Sequence, residues 1–159
     1  MRLFAALLAC ASFFLSPGAL AQQMAPDALV KSVTDEVLDI IRKDKDIKAG
    51  STRRAIELVE QKVLPHFNFT RMTALAVGKD WRQATPEQQK VLTEEFRDLL
   101  VRTYSNALIA YKNESGGDRP FKMQPGETDV TVRTQIHQAG ARQPIALDYS
   151  LEKNGNAWK

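Results

Sequence analysis

The stretch TDVTVRTQIHQAGARQPIALDYSLEK, residues 128–153, decides the fold of this chain. Apolar or β-branched residues alternate with polar ones along both of its halves, and this period of two is typical of strands with one buried face. AGAR at residues 139–142 predicts a hairpin turn between the halves, and NGN at residues 154–156 predicts a second turn. The sequence therefore predicts an antiparallel meander in this part of the chain.

The residues between the amino-terminal segment and these strands show a different period. Apolar residues recur there at every third or fourth position, which predicts amphipathic helices. We expect four helices, at residues 27–43, 52–64, 69–77 and 86–111. Helices first and an antiparallel meander second describe an α+β domain, with about four helices wrapped around the sheet.

Specific residues mark the ends of these helices. Ser51 and Asn68 are placed to cap the second and third helices. Thr85 and Gln88 form a capping box at the start of the fourth helix, with a proline at its first position. Gly78 is predicted to end the third helix in the left-handed conformation.

The first 21 residues have the layout of a secretory signal peptide. A basic Arg2 precedes an apolar run that is too short to span a bilayer, and the small residues that signal peptidase requires end at Ala21. We expect cleavage after Ala21, secretion, and a single domain over residues 22–159. The alternatives are a retained membrane anchor and a lipidated Cys10, because LLAC resembles a lipoprotein cleavage box.

Composition argues against several classes of function. Cys10 is the only cysteine, so disulfides and thiol chemistry are not expected after Ala21. The formal charge of +3 falls to +2 without Arg2, and acids and bases alternate without a basic block. We therefore expect no nucleic-acid partner, whereas weak attraction to an anionic membrane surface or an acidic partner stays open.

The polar residues form no pattern typical of catalysis or metal binding. His66 and His137 are the only histidines, and neither lies at a meaningful spacing from a carboxylate or a nucleophile. Acidic residues on the predicted helices alternate with Lys and Arg at helical offsets, as expected of a solvated face. We expect no enzyme activity, no catalytic residues, no metal and no cofactor.

The stretch FNFTRMTALAVGKDWRQATPEQQ, residues 67–89, is unusually rich in large apolar side chains. Six of them, from Phe67 to Trp81, lie on one short predicted helix and the loop residues beside it. A short helix cannot bury all of these side chains against one neighbour, so some of them are candidates for lining a cavity. The alternative for each is ordinary core packing.

This region resembles the central signature of the MlaC family, also called the toluene-tolerance auxiliary family, of periplasmic phospholipid-binding proteins. The shared pattern begins with a segment that contains proline and then phenylalanine, Asp or Asn, and phenylalanine. A short helix that ends in glycine and a Trp-Arg pair follow. The pattern ends with a capped helix whose first turn contains glutamine and which carries the sequence Phe-x-x-Leu-Leu-x-x-Thr-Tyr. The matching residues are Pro65, Phe67, Asn68, Phe69, Gly78, Trp81, Arg82, Gln88, Gln89, Phe96, Leu99, Leu100, Thr103 and Tyr104. Asn68 stands where the family often has aspartate, and either residue caps a helix.

The resemblance implies a cone similar to the nuclear-transport-factor fold, with acyl chains between the helices and a curved sheet. It implies a soluble periplasmic monomer that carries phospholipid, as cargo, between an outer-membrane lipoprotein-porin complex and an inner-membrane ABC transporter bearing a ring of MCE domains. Such transport would maintain the lipid asymmetry of the outer membrane. Family members continue with a further strand, so we also expect the chain to be truncated at its carboxyl terminus.

Candidate lipid-binding residues are apolar side chains on the faces where the two layers are expected to meet. The candidates on the helices are Phe69, Met72, Leu75, Phe96, Leu99, Leu100, Tyr104 and Leu108. The candidates on the strands are Val130, Val132, Ile136, Ile145, Leu147 and Tyr149. Any of them can instead belong to the core.

Two other classes of function remain as alternatives. Nuclear-transport-factor-like folds also host isomerases and hydratases with an acid in an apolar cone, and here Asp148 or Tyr104 would be the buried group. Asp148 lies on the opposite face of its strand from Leu147 and Tyr149, so we expect it to point to solvent. A periplasmic interaction module would have a tightly packed centre and no ligand. An elongated pocket between helices and sheet would favour the lipid carrier over both.

Overall fold

A computed structural model describes residues 24–110, 115–137 and 142–159 of the chain. The predicted signal peptide, Cys10, Tyr111 and most of the predicted turn at residues 139–142 lie outside these residues. Within them, five α-helices precede four β-strands, which confirms the predicted α+β class. No helix in the three described ranges is long and apolar enough to cross a membrane.

The helices follow their predicted positions, with one addition. They are α1 Pro26–Lys43, α2 Lys45–Lys48, α3 Thr52–Leu58, α4 Phe69–Val77 and α5 Pro86–Ala110. The second predicted helix is α3 continued by a π-helical segment, Val59–Val63, and a 3-10 turn, Leu64–His66. Another 3-10 turn, Gly78–Gln83, joins α4 to α5.

The predicted N-terminal caps are present. Ser51 Oγ and Asn68 Oδ1 each accept a hydrogen bond from a backbone N–H in the first turn of the helix that follows, at 3.3 and 3.1 Å. The backbone N–H of Thr85 donates to Gln88 Oε1 at 2.9 Å, and the N–H of Gln88 donates to Thr85 Oγ1 at 3.2 Å. This reciprocal pair is the capping box expected at the start of α5.

Two local features differ from the prediction. Gly78 ends α4 with φ +71°, as predicted, but its ψ of −135° lies outside the left-handed helical region, because the chain continues there into the 3-10 turn. The second feature is α2, which the helical period missed because it is a single turn. Asp44 Oδ1 accepts hydrogen bonds from the N–H groups of Asp46 and Ile47, both at 3.0 Å, and the turn buries Ile47.

The pKa of the Asp44 carboxyl is lowered, first by the hydrogen bond from Ile47 N–H and then by the Arg54 guanidinium. A carboxyl whose pKa is lower in the folded state stabilises the fold at pH values above its unfolded pKa of 3.8. This stabilisation is lost as the pH falls through the folded pKa. We therefore expect Asp44→Asn to lower the free energy of unfolding at pH 7 and to cost progressively less below pH 4.

Urea unfolding of both proteins from pH 7 down to pH 2 measures this difference. Asp39→Asn is the matched control, since Asp39 is an exposed residue of α1 whose carboxylate pairs with Lys43 on the same helix. A difference between wild type and Asp44→Asn that stays constant with pH would contradict the assignment.

The strands form one antiparallel meander in the order β1-β2-β3-β4. They are β1 Ser115–Asp118, β2 Asp129–His137, β3 Ile145–Asn154 and β4 Ala157–Trp158. This confirms the predicted meander and its alternation. Cross-strand pairs on the face toward the helices are Val130 with Leu151, Val132 with Tyr149, and Thr134 with Leu147.

β1 is an addition to the prediction, because its residues SGGD carry no apolar side chain that would reveal a strand. The strand is held by its pairing with β2. A Cβ atom at Gly117 would lie 3.0 Å from His137 Nε2 and 3.1 Å from Gln135 Cγ, so a larger residue there would have to displace these two side chains slightly.

Two buried apolar clusters hold the layers together. The sheet cluster consists of Val30, Val132, Leu151 and Trp158. The helical cluster consists of Val37, Ile41, Ile47 and Leu58. Because α1 contributes to both, it is the element that links the sheet to the other helices.

α5 buries a different face from the one that carries most of its candidate lipid-binding residues. Its fully buried residues are Val101 and Ser105, whereas Leu99 and Tyr104 are 59% and 66% exposed. Apolar residues occur on several sides of α5, so packing against α3 and α4 decides which face is buried. The fully buried Ala55 of α3 has a small side chain, as close helix packing requires.

Ser105 Oγ is buried without a hydrogen-bond partner among the described residues. A buried hydroxyl left unpaired destabilises a protein by about 1–3 kcal/mol, so Ser105→Ala should raise the free energy of unfolding by about 1 kcal/mol or more. Urea unfolding measures the change. Ser32→Ala, at an exposed position of α1, controls for the higher helix propensity of alanine. A gain no larger than that of the control would contradict the expectation.

Candidate functional site

An elongated cavity of about 830 Å³ lies between the helices and the sheet. Its walls are α1, α4, the π-helical segment and 3-10 turn that follow α3, Leu108 of α5, and strands β2 and β3. β2 lines the cavity at residues 129–131 and again at Ile136, and Asp129 and Ile136 are about 24 Å apart along an extended strand. This volume lies within the range of roughly 300–1,000 Å³ that is usual for small-molecule sites.

The cavity exists because the two buried clusters do not merge. The sheet cluster lies around Val30, the helical cluster lies around Val37, and the cavity is lined by the α1 residues between them, Val33 and Thr34. α4 closes one side with Met72 and Leu75, and Leu75 is 72% exposed. An apolar side chain that lines a cavity and still meets solvent marks an open rim.

The structure brings half of the predicted site residues to this cavity. They come from α4, α5 and both long strands, and most are partly buried. These residues are Met72, Leu75, Leu108, Val130, Ile136, Leu147 and Tyr149.

The other predicted site residues do not line the cavity, for three different reasons. Val132 is taken up by the sheet cluster, and Leu99, Tyr104 and Ile145 are exposed outside the cavity. The remaining residues are partly buried elsewhere. Those on α5 lie away from the cavity, which this helix lines with Leu108, whereas Phe69 stacks on Phe67 with ring centroids 6.0 Å apart. These remaining residues are Phe69, Phe96 and Leu100.

Sequence reasoning missed α1 as a wall of the cavity. Six of its residues line the cavity, and their spacing of three and four follows one face of the helix. The apolar stripe of α1 is visible in the sequence, but a stripe that packs into a core looks the same as one that faces a cavity. The six residues are Leu29, Val30, Val33, Thr34, Val37 and Leu38.

One end of the cavity is polar. The carboxylate of Glu152 accepts a hydrogen bond from Asn68 Nδ2 on one oxygen, and its other oxygen lies 2.9 Å from Arg71 Nε. Arg71 Nη2 lies 3.7 Å from Asp129 Oδ1. His66 also lines the cavity, so polar groups gather where α4 begins and where β2 and β3 pair at Asp129 and Glu152.

Tyr149 supplies a hydroxyl to the otherwise apolar middle of the cavity. Burial raises the pKa of Tyr149 above its usual value of 10.0, while a hydrogen bond with the side chain of Thr34 acts in the opposite direction. The phenol is therefore neutral at physiological pH. Its hydrogen bond with Thr34 joins β3 to α1 at the cavity wall. These two side chains present hydroxyl groups and no charge to this part of the cavity.

The acidic residues that line the cavity lie at its polar end or at its rim. Asp148 is half exposed and its carboxylate lies 3.7 Å from Arg133 Nε, in agreement with the prediction that it points to solvent. In the described part of the chain, no group of three or more His, Cys, Asp and Glu side chains is arranged to hold a metal ion.

A second, more open depression of about 620 Å³ lies on the outer side of the Gly78–Gln83 turn and the start of α5. Its lining includes Val77, Val91 and Leu92 together with exposed acidic and amide side chains. It has no contact with the sheet, so we assign the functional site to the cavity between the layers.

Helices and an antiparallel sheet that enclose an apolar cavity with one polar end are typical of domains that bind amphipathic small molecules. A family profile described as "MlaC protein" matches residues 31–159. The chain belongs to the MlaC family, as its central motifs indicated.

Three relatives extend this comparison. The chain is 26% identical to the toluene tolerance protein ttg2D of Pseudomonas putida over 84% of its own length, and it spans 62% of that protein. It is 21% identical to the intermembrane phospholipid transport system binding protein MlaC of Haemophilus influenzae, over 93% of its own length and 70% of that protein.

The third relative is a solved structure of the phospholipid-binding protein from Ralstonia solanacearum in complex with a phospholipid. It is 41% identical to this chain and superimposes with a TM-score of 0.76, over 84% of this chain and 73% of that one. The similarity includes the fold as a whole and not only the central motif.

Proposed function

We propose that this protein binds one phospholipid in the cavity between its helices and its sheet, and carries it as cargo through the periplasm. The observation that carries the proposal is the cavity of about 830 Å³, apolar along its length and polar at one end. The phospholipid described in the similar Ralstonia protein supports the same assignment of ligand.

The physical need for such a carrier follows from the cost of exposing acyl chains to water. At about 0.8 kcal/mol per methylene, a lipid with roughly 30 methylenes costs on the order of 20 kcal/mol to transfer from a membrane into water. Spontaneous movement between two membranes is therefore negligibly slow. A cavity that replaces the membrane as an apolar solvent removes most of this cost.

The role we propose is transport without chemistry. The carboxylates at the cavity are at the polar end or the rim, where Glu152 is held by Asn68 and Arg71 and Asp148 lies near Arg133. Such carboxylates do not resemble the buried acid of an isomerase or hydratase. A pure interaction module would not need an open cavity, so the cavity favours the carrier over both alternatives.

The partners we propose are the two membrane complexes of the family, an outer-membrane lipoprotein-porin complex and an inner-membrane ABC transporter with a ring of MCE domains. The name of the Haemophilus relative, which refers to intermembrane phospholipid transport, supports this part of the proposal. We propose that the protein acts between them as a periplasmic monomer after removal of residues 1–21, and so maintains the lipid asymmetry of the outer membrane.

Transfer of phospholipid between two vesicle populations tests the carrier function. Donor vesicles hold a self-quenched fluorescent phospholipid, acceptor vesicles hold none, and the increase in fluorescence reports transfer through solution. We expect a rate that rises in proportion to protein concentration. A rate equal to that without protein, obtained with folded wild-type protein, would contradict the proposal.

A further inference from the structure

We propose that Arg71 binds the phosphate group of the lipid, with Glu152 as the residue that positions its guanidinium; this inference rests on the proposed function. The chemical class of ligand is therefore a phosphate ester bearing acyl chains. A diacylglycerol, which has the same chains and no phosphate, is expected to bind less well.

The location of the phosphate follows from the two ends of the cavity. Away from the polar end the lining includes buried or partly buried apolar residues such as Val33, Val37 and Leu108, and an ionised group there would lose its hydration without a partner. At the near end Arg71 and Asn68 lie beside the cavity. A phospholipid therefore fits with its phosphate at the start of α4 and its acyl chains extending toward Leu108.

Arg71 has the donors to make this contact. A guanidinium carries five N–H groups in one plane, and the described contacts of Arg71 use its Nε toward Glu152 at 2.9 Å. The distance of 3.7 Å between Nη2 and Asp129 Oδ1 exceeds a hydrogen bond. The Nη groups therefore remain available for a phosphate, which arginine binds through two parallel hydrogen bonds.

Glu152 holds the guanidinium in place. Its side chain is 22% exposed, and its backbone N–H and carbonyl both pair with Lys159 across the sheet, at 2.8 and 3.0 Å. One carboxylate oxygen lies against Arg71, and the other accepts from Asn68, which also caps α4. Arg71 is thus oriented by a fixed strand on one side and belongs to a capped helix on the other.

The carboxylate of Asp129 opposes the binding of a phosphate. Its carboxylate is 68% exposed and lies on the Nη side of Arg71, where it repels a bound phosphate and competes for the same donors. Substitutions at Arg71 and at Asp129 are therefore expected to change the preference for phospholipid over diacylglycerol in opposite directions. Loss of the Arg71 guanidinium should lower the preference for a phosphate, and loss of the Asp129 charge should raise it.

The experiment measures which lipid the protein extracts from a mixed membrane. Vesicles of phosphatidylglycerol containing diacylglycerol with the same acyl chains are incubated with protein, the protein is separated, and both lipids are quantified by mass spectrometry. We expect the lipid extracted by wild type to be enriched in phosphatidylglycerol. For Arg71→Gln this enrichment should be about tenfold lower, with the uptake of diacylglycerol unchanged. Asp129→Asn should increase the enrichment.

Three further variants separate positioning from charge and from folding. Arg71→Lys keeps the charge but not the paired donors, so its enrichment should fall between wild type and Arg71→Gln. Glu152→Gln should lower enrichment while leaving diacylglycerol uptake intact. Arg53→Gln is the matched control, because Arg53 is an exposed residue of α3 that does not line the cavity, and it should behave as wild type.

Three other outcomes would overturn the inference that Arg71 binds the lipid phosphate. If wild type extracts lipid and both Arg71 variants show its lipid ratio, the inference fails and the proposed carrier function stands. If wild type extracts neither lipid, both fail. If sn-glycerol 3-phosphate binds wild type but not Arg71→Gln, and an excess of it leaves the extracted phosphatidylglycerol in place, Arg71 takes a free phosphate ester and the assignment to the lipid is overturned.

Discussion

Met72→Asp is expected to remove bound phospholipid from the protein and to leave the fold intact. Met72 is a half-buried residue of α4 that lines the cavity, so a carboxylate there would lie against the acyl chains. Burying an ionised carboxylate without a partner costs several kcal/mol, which lowers the occupancy of the cavity by at least about tenfold. The measurement is the amount of phospholipid per chain after purification without detergent.

The fold should survive, because Met72 lies in the first half of α4, where a negative charge interacts favourably with the helix dipole. Leu99→Asp is the matched control, since Leu99 is 59% exposed on α5 and does not line the cavity. Far-ultraviolet circular dichroism checks that both variants are folded. Equal lipid content in Met72→Asp and Leu99→Asp would contradict the assignment of the cavity.

Leu58→Ala is expected to give the largest loss of stability, about 3 kcal/mol. Leu58 is 2% exposed in the helical cluster, where it packs with Val37, Ile41 and Ile47. Removing a buried leucine side chain loses its transfer free energy and leaves a space that the neighbours fill only in part. Urea unfolding should show a lower midpoint with an unchanged dependence of the free energy on denaturant.

Leu92→Ala is the control for this prediction. Leu92 is 39% exposed on α5, so the same truncation there should cost less than about 1 kcal/mol. A loss at Leu58 no larger than the loss at Leu92 would mean that the helical cluster does not support the fold as described.

Most element boundaries were predictable because single residues determine them locally. The capping box of Thr85 and Gln88 and the cap at Asn68 act within one helical turn, so sequence alone locates the starts of α5 and α4. The alternation of β2 and β3 was equally visible, since one face of each strand is buried against α1. In contrast, β1 has no apolar residue, and its position is set by pairing with β2.

The candidate site was only partly predictable, because its geometry depends on residues far apart in the chain. Asn68 and Glu152, which meet at the polar end of the cavity, are 84 positions apart. The face that α5 turns inward, with Val101 and Ser105, is set by packing with its neighbours and not by its most apolar stripe. A sequence therefore indicates that α1 and α5 are amphipathic, but not which of their residues face a cavity.

The central claim is that the cavity holds a phospholipid, and native mass spectrometry tests it most directly. Folded wild-type protein is purified from a bacterial periplasm without detergent, its mass is measured, and any bound molecule is extracted and identified. We predict a mass excess that corresponds to a single phospholipid per chain and extracts as phospholipid. A bare polypeptide mass from the folded protein would contradict the claim.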